Sequence, residues 1–365
     1  MGFSLFGVVE PHPPPHYVQY ESWLAEGRHG EMWYLATDRA RERRKNPQKV
    51  LPGSQSILLL GWPHNTPELS LDNLNTDPGG LKGRIASYAW CHDYHDVIPP
   101  LLEQLVTFIQ DAVGTPLHNR WYTDTGPILE RDLAQQAGLG WIGKNTCLIN
   151  PQQGSFLLLA EIFLGLELEP DLPFSVDHCG TCTRCIAACP TKCIHDDRTI
   201  DASRCISYLT IELKGPIPVE LRSQIGDWIF GCDICQQVCP WNQRFASQAT
   251  VDVPGSAIKE VDLASELSLS PQEFNHKYKG RPQRRAKRRG YLRNVAVALG
   301  NSKSGRAVPP LVRALHTDPD HLVRGHAAWS LGIIGGQQAK IALEKSLSME
   351  DEAFVIEEIH QALVS

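Results

Sequence analysis

At 365 residues, with 42% hydrophobic and 21% charged residues, the chain has room for roughly two or three domains and the composition of a soluble globular protein. No apolar run approaches the roughly 20 residues that a membrane-spanning helix needs, and residues 1–6 lack the features of a secretory signal. We therefore expect a cytoplasmic protein without a membrane partner. The sequence shows no obvious coiled-coil or self-pairing segment, which favours a monomer.

The segment up to about residue 170 alternates strand and helix signals. A short apolar run over residues 56–62 predicts a buried strand, and residues 156–166 predict another. Between them, residues 98–113 carry apolar side chains at the spacing of an amphipathic helix. The alternation indicates a layered α/β unit, although the strand order cannot be read from it.

A second helix is predicted further along this segment. Pro127 lies just inside its start, with Asp124 and Thr125 nearby as caps and Gly138 as the stop. Residues 138–145 are glycine-rich and include Lys144, so their backbone N–H groups could cradle phosphates, although a tight helix-to-strand turn explains them equally well. At the helix start, Glu130-Arg131 is interpreted as a local ion pair or a packing contact.

Nine of the eleven cysteines lie between Cys179 and Cys239, and in a reducing compartment such clustering indicates metal ligands rather than disulfides. The run Cys-x2-Cys-x2-Cys-x3-Cys-Pro has the spacing of bacterial two-cluster ferredoxins, in which the fourth cysteine binds the other [4Fe–4S] cluster. If the last cysteine of each run binds the cluster of the other run, one cluster is held by Cys179, Cys182, Cys185 and Cys239. The other cluster then takes Cys189, Cys205, Cys232 and Cys235.

The alternative for this segment is a pair of zinc sites, because Cys-x2-Cys pairs also suit tetrahedral Zn²⁺. The triple spacing closed by Cys-Pro favours iron–sulfur clusters, since zinc sites usually show two such pairs or added histidines. The remaining cysteines, Cys91, Cys147 and Cys193, are interpreted as packed thiols.

Beyond about residue 257 the chain is predicted to be helical. The pattern Ala-x-x-Leu-Gly of residues 296–300 recurs in residues 328–332, a separation of 32 residues. A further helix pair is predicted over residues 338–363. Such a pattern is typical of HEAT-like repeats, in which stacked helix pairs bury a shared apolar face. A plain helical bundle is the alternative.

A basic stretch precedes these repeats. Nine basic and no acidic residues lie between Lys277 and Arg293, in a chain whose net charge is −6. Such a stretch could neutralise several phosphates, and the neighbouring Tyr278 and Tyr291 could stack on bases of an RNA loop. A solvated linker is the alternative. The RNA-binding candidates are Arg281, Arg284, Arg285, Lys287, Arg288, Arg289 and Arg293.

Several motifs in combination point to one family. They are Asp93-Tyr94-His95-Asp96, residues 124–131 (DTGPILER), residues 137–145 (AGLGWIGKN), the cysteine runs, residues 204–212 and residues 291–300. Over nearly its whole length the chain resembles the epoxyqueuosine reductases, cobalamin-dependent iron–sulfur enzymes of tRNA modification. The resemblance implies reduction of the epoxide of epoxyqueuosine, at the wobble position of a tRNA anticodon stem-loop, to the alkene of queuosine with loss of water.

The same resemblance implies a set of cofactors and roles. Electrons from an external donor would pass through the two clusters to cobalamin, in the cob(II)alamin state, bound between the α/β domain and the cluster domain. Asp124 would be the proton donor. Arg44 and the loop of residues 140–145 would hold the corrin periphery, and Ser207, Cys232 and Asp233 would lie on its cluster-facing side. The cobalamin-binding residues would be Arg44, Ala86, Asp124, Trp141, Lys144, Asn145, Leu148, Leu159, Ser207, Cys232 and Asp233.

The chemistry gives an independent reason to single out Asp124. An alkoxide is a poor leaving group until it is protonated, and a carboxylic acid kept partly neutral by burial can supply that proton. The alternative is that Asp124 only caps the helix at Pro127. His92 and His95 flank Tyr94, and such a pair in an aromatic turn is interpreted as structural.

We therefore expect a multidomain α+β protein. Its predicted domains are an α/β cobalamin-binding catalytic domain over residues 1–170, a ferredoxin-like two-cluster domain over residues 171–250, and the basic segment with HEAT-like repeats over residues 251–365. Two other functions fit part of the pattern. A reductive dehalogenase also joins cobalamin to two clusters but usually carries an export signal, whereas a ferredoxin-like electron carrier leaves the first domain without a purpose.

Overall fold

The structure of the protein is a computed structural model that describes residues 1–64, 81–245 and 255–364. Its strands are β1 (Leu5–Val9), β2 (Ser56–Pro63), β3 (Lys82–Ile85), β4 (Asn119–Tyr122), β5 (Trp141–Ile142), β6 (Leu148–Ile149), β7 (Leu157–Leu164), β8 (Trp228–Phe230) and β9 (Glu260–Asp262). Its helices up to the cysteine region are α1 (Tyr17–Ala25), α2 (Trp33–Ala36), α3 (Asp38–Lys45), α4 (Tyr94–Val113), α5 (Glu130–Gln136), α6 (Arg184–Ala188), α7 (Ile206–Ile211), α8 (Val219–Arg222), α9 (Ile234–Gln237) and α10 (Pro240–Phe245). The later helices are α11 (Leu263–Leu267), α12 (Pro271–Lys277), α13 (Lys287–Asn301), α14 (Val308–Thr317), α15 (His321–Ile334), α16 (Gln337–Leu347) and α17 (Ala353–Val364).

These elements form two compact units that interleave along the chain. The first contains the described residues 1–64, 92–203 and 234–245, and the second contains residues 81–91, 204–233 and 255–364. Within the described ranges, no helix combines the length and apolar character needed to cross a membrane.

The sheet of the first unit is antiparallel throughout, with the strand order β1-β2-β7-β4. β2 and β7 pair along their whole length, so that Ser56 lies opposite Leu164 and Pro63 opposite Leu157. β5 and β6 form a separate pair. In the second unit, β3 lies between β8, to which it is parallel, and β9, to which it is antiparallel.

The central strands β2 and β7 are apolar because both faces of their sheet are covered. Leu59 and Phe163 on one face pack against α5, and Leu60 and Ile162 on the other pack against α4. Burying each such side chain stabilises the fold by roughly 1.5–3 kcal/mol. The sheet and its two helices thereby fix the end of β4, from which the chain continues to Asp124.

The helical repeats of the second unit stack α13, α15 and α17 side by side. Gly300 of α13 lies directly against Ser330. A Cβ atom at Gly300 would come within 2.6 Å of the Ser330 hydroxyl oxygen and 3.0 Å of the Ser330 Cα. In the same way, a Cβ atom at Gly332 would lie 2.8 Å from the Cα of Ala362. The repeated glycine therefore marks where successive helices approach backbone to backbone.

The structure confirms most of the elements predicted for the first unit. β2 covers residues 56–62, β7 lies within residues 156–166, and α4 begins earlier than predicted, at Tyr94, because the side chain of Asp93 caps it. The helix predicted at Pro127 begins later, at Glu130. Its N-cap residue is Leu129, so the interpretation of Asp124 as a helix cap was wrong. The boundary predicted at residue 250 lies outside the described residues.

Candidate active site and cluster centre

The predicted proton donor, Asp124, follows β4 in a loop of the first unit. Its φ of 59° lies in the left-handed region. Because 66% of its side chain is exposed, the expectation that burial keeps this acid partly neutral was wrong. The hydroxyl of Tyr94 donates a hydrogen bond of 3.1 Å to its Oδ2, and His95 Nε2 lies 3.5 Å from the same oxygen. The end of β4 and the start of α4 therefore bring a phenol and an imidazole to the carboxyl of Asp124.

His95 is held in this position by a second carboxylate. Its Nδ1 lies 2.8 Å from Asp93 Oδ1, and the same oxygen accepts the backbone N–H of His95. Burial lowers the pKa of His95, but the carboxylates of Asp124 and Asp93 outweigh burial and raise the pKa to about 9. His95 is therefore an imidazolium at neutral pH, and its interpretation as purely structural missed this contact with Asp124. The signal available was the Asp93–Asp96 motif itself.

Glu130, the first residue of α5, lies on the other side of the Asp124 loop. The charge and the backbone of Asp124 both act on the pKa of the Glu130 carboxyl. The expected ion pair with Arg131 is replaced by a different arrangement, in which the guanidinium of Arg131 donates to the carbonyl and hydroxyl oxygens of Thr146. The loop of Asp124 and the turn at Thr146 are thus anchored by neighbouring residues of one helix.

Four of the predicted cluster ligands meet in one cavity of the first unit. The thiols of Cys179, Cys182, Cys185 and Cys239 line a cavity of about 300 Å³. The other lining residues are Lys144, Asn145, Ile149, His178, Arg184, Pro240, Trp241 and Arg244. The grouping is the one expected from crossing the ligands, because Cys239 comes from the second cysteine run. Thiolate sulfurs around such a space are the donor set that a [4Fe–4S] cluster takes.

An aromatic and polar wall supports this cavity. Trp141 is buried against Trp241 and donates its indole N–H to Cys179 Sγ at 3.4 Å. Hydrogen bonds to cluster sulfurs are one of the means by which proteins tune cluster potentials. Lys144 Nζ donates to the carbonyl oxygen of Gly180, inside the first cysteine run. Three of the residues predicted to bind cobalamin (Trp141, Lys144 and Asn145) therefore also surround the thiol cavity.

The second predicted ligand set is divided between the two units. Cys189 and Cys235 belong to the first unit, in which α6 packs against α9, and Cys205 and Cys232 belong to the second. Cys193 is buried, as expected of a packed thiol, and its sulfur lies 3.4 Å from that of Cys189. None of the eleven cysteines, all of which lie within the described ranges, forms a disulfide bond.

The residues predicted to bind cobalamin from the first unit are mostly buried. Arg44 is 8% exposed, donates to the carbonyl oxygen of Ala40 and lies 5.6 Å from the ring centroid of Tyr20. Asn145 is 4% exposed, and its Nδ2 has no hydrogen-bond partner within the described structure. An unsatisfied amide donor of this kind fits a ligand rich in amide and phosphate acceptors. Leu148 is buried and Leu159 half-buried beside it in the core under α5.

The second unit contributes the other predicted contacts. Ala86 is buried and donates its N–H to the carbonyl oxygen of Phe230, and Ser207 is half-buried in α7. The carboxyl of Asp233, beside Cys232, is buried and accepts the N–H of Ser87 at 2.7 Å. Burial raises the pKa of Asp233 to about 6.

The basic stretch divides into exposed and structural residues. Arg284, Arg285, Lys287 and Arg289 are exposed. Arg285 pairs with Glu212 at 2.9 Å, and Arg289 donates to the carbonyl oxygen of Lys214. The half-buried Arg281 donates to the carbonyl oxygens of Trp90 and Ser256, and Arg288 pairs with Asp318 at 2.6 Å.

Two of the expectations for this stretch were wrong. Arg293 is fully buried, and its guanidinium donates to the carbonyl oxygens of Leu209, Leu213 and Gly215, so it cannot reach a phosphate. Tyr278 and Tyr291 are also fully buried, with their hydroxyls 2.6 Å apart and both hydrogen-bonded to Glu266. Their rings are part of the helical core and are not available to stack on bases.

Comparison with known proteins identifies the family. Residues 44–125 match the family described as "Epoxyqueuosine reductase QueG, DUF1730", residues 178–242 a 4Fe-4S double cluster binding domain, and residues 286–364 HEAT repeats. An epoxyqueuosine reductase of Pseudomonas aeruginosa is 39% identical over 91% of this chain and 91% of its own length. One of Xanthomonas campestris is 40% identical over 90% of this chain and 92% of its own length. The chain belongs to the epoxyqueuosine reductase family.

Solved structures of epoxyqueuosine reductases share this fold. One, with an epoxyqueuosine-modified tRNA-Tyr stem loop, has a TM-score of 0.88 and 29% identity, and the match covers 100% of this chain and 95% of that chain. Another, from Bacillus subtilis, has its catalytic aspartate loop swung out of the active site, with a TM-score of 0.87, 29% identity and the same coverage. The predicted α+β class, with a double-cluster segment and HEAT repeats, is confirmed. Family membership makes the chain an oxidoreductase, so the non-enzymatic electron carrier is set aside.

Proposed function

We propose that this chain reduces epoxyqueuosine to queuosine at the wobble position of tRNA, with electrons passed through two [4Fe–4S] clusters to cobalamin and with Asp124 as the proton donor. The observation that carries the proposal is the meeting of Tyr94 and His95 at the carboxyl of Asp124, in the same compact unit as the four-thiol cavity. The names of the relatives and the stem loop bound by one of them support tRNA as the substrate.

The cysteine arrangement supports the iron–sulfur part of the proposal. Cys179, Cys182, Cys185 and Cys239 would hold one cluster around the described cavity. Cys189, Cys205, Cys232 and Cys235 would hold the other, which follows from the ferredoxin-like spacing. An external donor would reduce the clusters, and a cytoplasmic location would keep the cysteine ligands reduced.

The residues present also fit cobalamin. Arg44, the orphaned amide of Asn145 and the apolar Leu148 and Leu159 would hold it from the first unit. Ala86, Ser207, Cys232 and Asp233 would complete the set of contacts that the family resemblance implies. Bound cobalamin would supply the reducing metal centre that an epoxide requires, and this chain's own residues supply binding, orientation and protons.

Asp124 would protonate the oxygen that leaves the epoxide carbon. The Tyr94 hydroxyl fixes the orientation of its carboxyl, and the imidazolium of His95 can supply it with one proton. Asp93 holds the His95 ring so that Nε2 faces Asp124. Exposure of the Asp124 side chain leaves it open to a substrate nucleoside.

The anticodon stem-loop would be bound in part by the exposed basic residues before the repeats. Arg284, Arg285, Lys287 and Arg289 present cations to solvent and can contact phosphates. The protein would act as a monomer with three functional segments, over residues 1–170, 171–250 and 251–365.

The direct test is anaerobic reconstitution with iron, sulfide and cobalamin, followed by mass spectrometry of an epoxyqueuosine-bearing tRNA after addition of a strong reductant. Loss of one oxygen atom from the modified nucleoside is the expected result. Replacing the acid by Asp124→Asn should lower turnover by about 10²- to 10⁴-fold, because the amide cannot donate an acidic proton.

The matched control is Asp111→Asn, which makes the same change at an exposed carboxylate near the other end of α4 and should leave turnover unchanged. Asp124 is not the acid if Asp124→Asn converts tRNA at the wild-type rate with the same cluster and cobalamin content. A loaded wild-type protein that leaves the tRNA unchanged would mean a different substrate.

A further inference from the structure

The proposed reaction consumes more protons than one carboxyl holds. Conversion of an epoxide to an alkene and water takes up two electrons and two protons, because the oxygen leaves carbon as water and carries both protons with it. Asp124 can deliver one proton at a time. With Asp124 as a carboxylate, its pair with the His95 imidazolium holds one dissociable proton, and loss of that proton leaves a carboxylate and a neutral imidazole. A second proton must therefore reach the same site in each turnover.

A buried carboxyl lies directly behind the Asp124 loop and has no role in the site described so far. Glu161, in the middle of β7, is 0% exposed, and neither of its carboxyl oxygens has a hydrogen-bond partner within the described structure. It lies opposite Tyr122 of β4 and Leu59 of β2, on the sheet face that packs against α5. An unpaired carboxylate in such a place is strongly disfavoured, so the group is held as a neutral acid.

The position of Glu161 connects it to the Asp124 loop. A Cβ atom at Gly126, two residues after Asp124, would lie 2.7 Å from Glu161 Oε1, so only a glycine leaves room for this carboxyl beneath the loop. Glu130 is close enough to Asp124 and to Glu161 to interact with each electrostatically. Glu161, Glu130 and Asp124 thus form a series from the core to the exposed loop.

We propose that the buried Glu161 and the half-buried Glu130 form a proton reserve that supplies the second proton of each turnover through Asp124. The inference rests on the proposed function. In the step, a carboxyl proton of Glu130 passes to the Asp124 carboxylate left by the first transfer, and Glu161 reprotonates Glu130. After product release, protons from solvent enter at the exposed Asp124 and return through Glu130 to Glu161. No electrons move in this sequence, and each O–H bond that breaks is matched by one that forms.

The surroundings keep Glu130 and Glu161 protonated near neutral pH. Burial and the nearby charge of Asp124 raise the pKa of Glu130 to about 8, against the opposing guanidinium groups of Arg131 and Arg44. Burial, followed by Glu130 and Asp124, raises the pKa of Glu161 well above its usual range. Within the described residues, the titratable or charged groups facing this series are Tyr122, these two arginines and, around Asp124, Tyr94, His95 and Asp93.

The reserve can be tested with Glu161→Gln, Glu161→Met and Glu161→Asp in the cluster- and cobalamin-loaded protein. The Gln and Met variants should lower turnover of epoxyqueuosine-bearing tRNA by about 10- to 100-fold, and the Asp variant should restore part of it. Glu167→Gln, at an exposed glutamate beyond the end of β7, is the matched control and should convert tRNA at the wild-type rate.

A stability measurement separates this role from a structural one. A carboxyl whose pKa is raised in the folded state destabilises the fold above its unfolded-state value of 4.5, so Glu161→Met should raise the thermal unfolding midpoint at neutral pH. Infrared difference spectra between acidic and alkaline buffer should show a protonated carboxylic acid band that Glu161→Gln removes. A lower midpoint together with failure of Glu161→Asp to restore turnover would assign Glu161 to packing instead.

The outcomes also distinguish failure of the inference from failure of the proposed function. If the wild-type protein converts the tRNA and Glu161→Gln converts it at the same rate, the proton reserve is overturned and the proposed function remains intact. If the wild-type protein does not convert the tRNA, the proposed function fails. In that case the infrared measurement alone tests the proton reserve. A carboxylic acid band that Glu161→Gln removes supports a proton stored on Glu161, and the absence of such a band refutes it.

Discussion

Asp124 owes its backbone conformation to contacts made by other parts of the chain. A non-glycine residue in the left-handed region is strained by roughly 1–3 kcal/mol and persists only where its surroundings impose it. Here Tyr94 and His95 hold the carboxyl of Asp124. The strained backbone of Asp124 therefore holds its carboxyl in place between Tyr94 and His95. A catalytic acid needs such a fixed position.

His95 makes the rate dependent on pH in a defined direction. Its folded-state pKa is raised to about 9 from a value of 6.5, so the proton is present at neutral pH and is lost as the pH rises through about 9. Turnover of the wild-type protein should fall on that alkaline side. His95→Gln should lower the rate near neutral pH by about 10-fold or more, and flatten the alkaline decline.

The same shift predicts a change in stability. The contribution of the His95 proton is complete below pH 6.5 and disappears as the pH passes about 9, so the unfolding midpoints of the wild type and His95→Gln should converge at high pH. His92→Gln, at an exposed histidine three positions earlier, is the control. An alkaline decline that persists unchanged in His95→Gln would assign it to another group.

At the residue scale, the sequence was most informative where spacing alone determines chemistry. The Cys179 and Cys239 thiols were predicted to share a cluster, and the structure brings them to one cavity. Arg293 was mispredicted because its partners are carbonyl oxygens of residues such as Leu209, which lie far away in the chain. His95 was undervalued for the same reason, since nothing local to it indicates that β4 delivers Asp124 to its ring.

At the scale of elements, the helical repeats were predictable because their packing requirement recurs in the sequence. Gly300 and Gly332 occupy equivalent places, and each removes the side chain from a helix–helix contact. The start of α5 was harder to predict, because Pro127 is a favoured first residue of a helix. The helix nevertheless begins only at Glu130, since the preceding residues form the loop that carries Asp124.

Two identical substitutions in α13 should have opposite effects on stability. Gly300→Ala places a methyl group within 3.0 Å of the Ser330 backbone and should destabilise the fold by about 1–3 kcal/mol through overpacking. Gly290→Ala meets its nearest atom, Ala286 Cβ, at 3.8 Å and should stabilise the helix by up to about 1 kcal/mol. Chemical unfolding of both variants measures the difference. Equal free energies of unfolding would show that α13 and α15 do not approach as closely as described.

At the scale of the whole molecule, the chain builds two units from segments that are distant in sequence. Residues 81–91 join residues 204–233 and 255–364 in the second unit, although the sequence places them in the middle of the first predicted segment. Local patterns cannot reveal this, because the parallel pairing of β3 with β8 joins strands that are far apart in the chain. The cysteine runs are interleaved in the same way, since Cys235 belongs to the first unit and Cys232 to the second.

The charge distribution of the molecule yields the last prediction. Replacing the exposed basic residues before the repeats by alanine should weaken tRNA binding and reduce the dependence of log Kd on log salt concentration by up to about 3, since each cation can release one counterion from RNA. The variant changes Arg284, Arg285, Lys287 and Arg289. The control makes the same charge change at other exposed cations of the second unit, namely Lys303, Arg313, Lys340 and Lys345. Fluorescence anisotropy across a salt series measures both. Identical salt slopes for the two variants would mean that the basic stretch is a solvated linker and that net charge alone attracts the RNA.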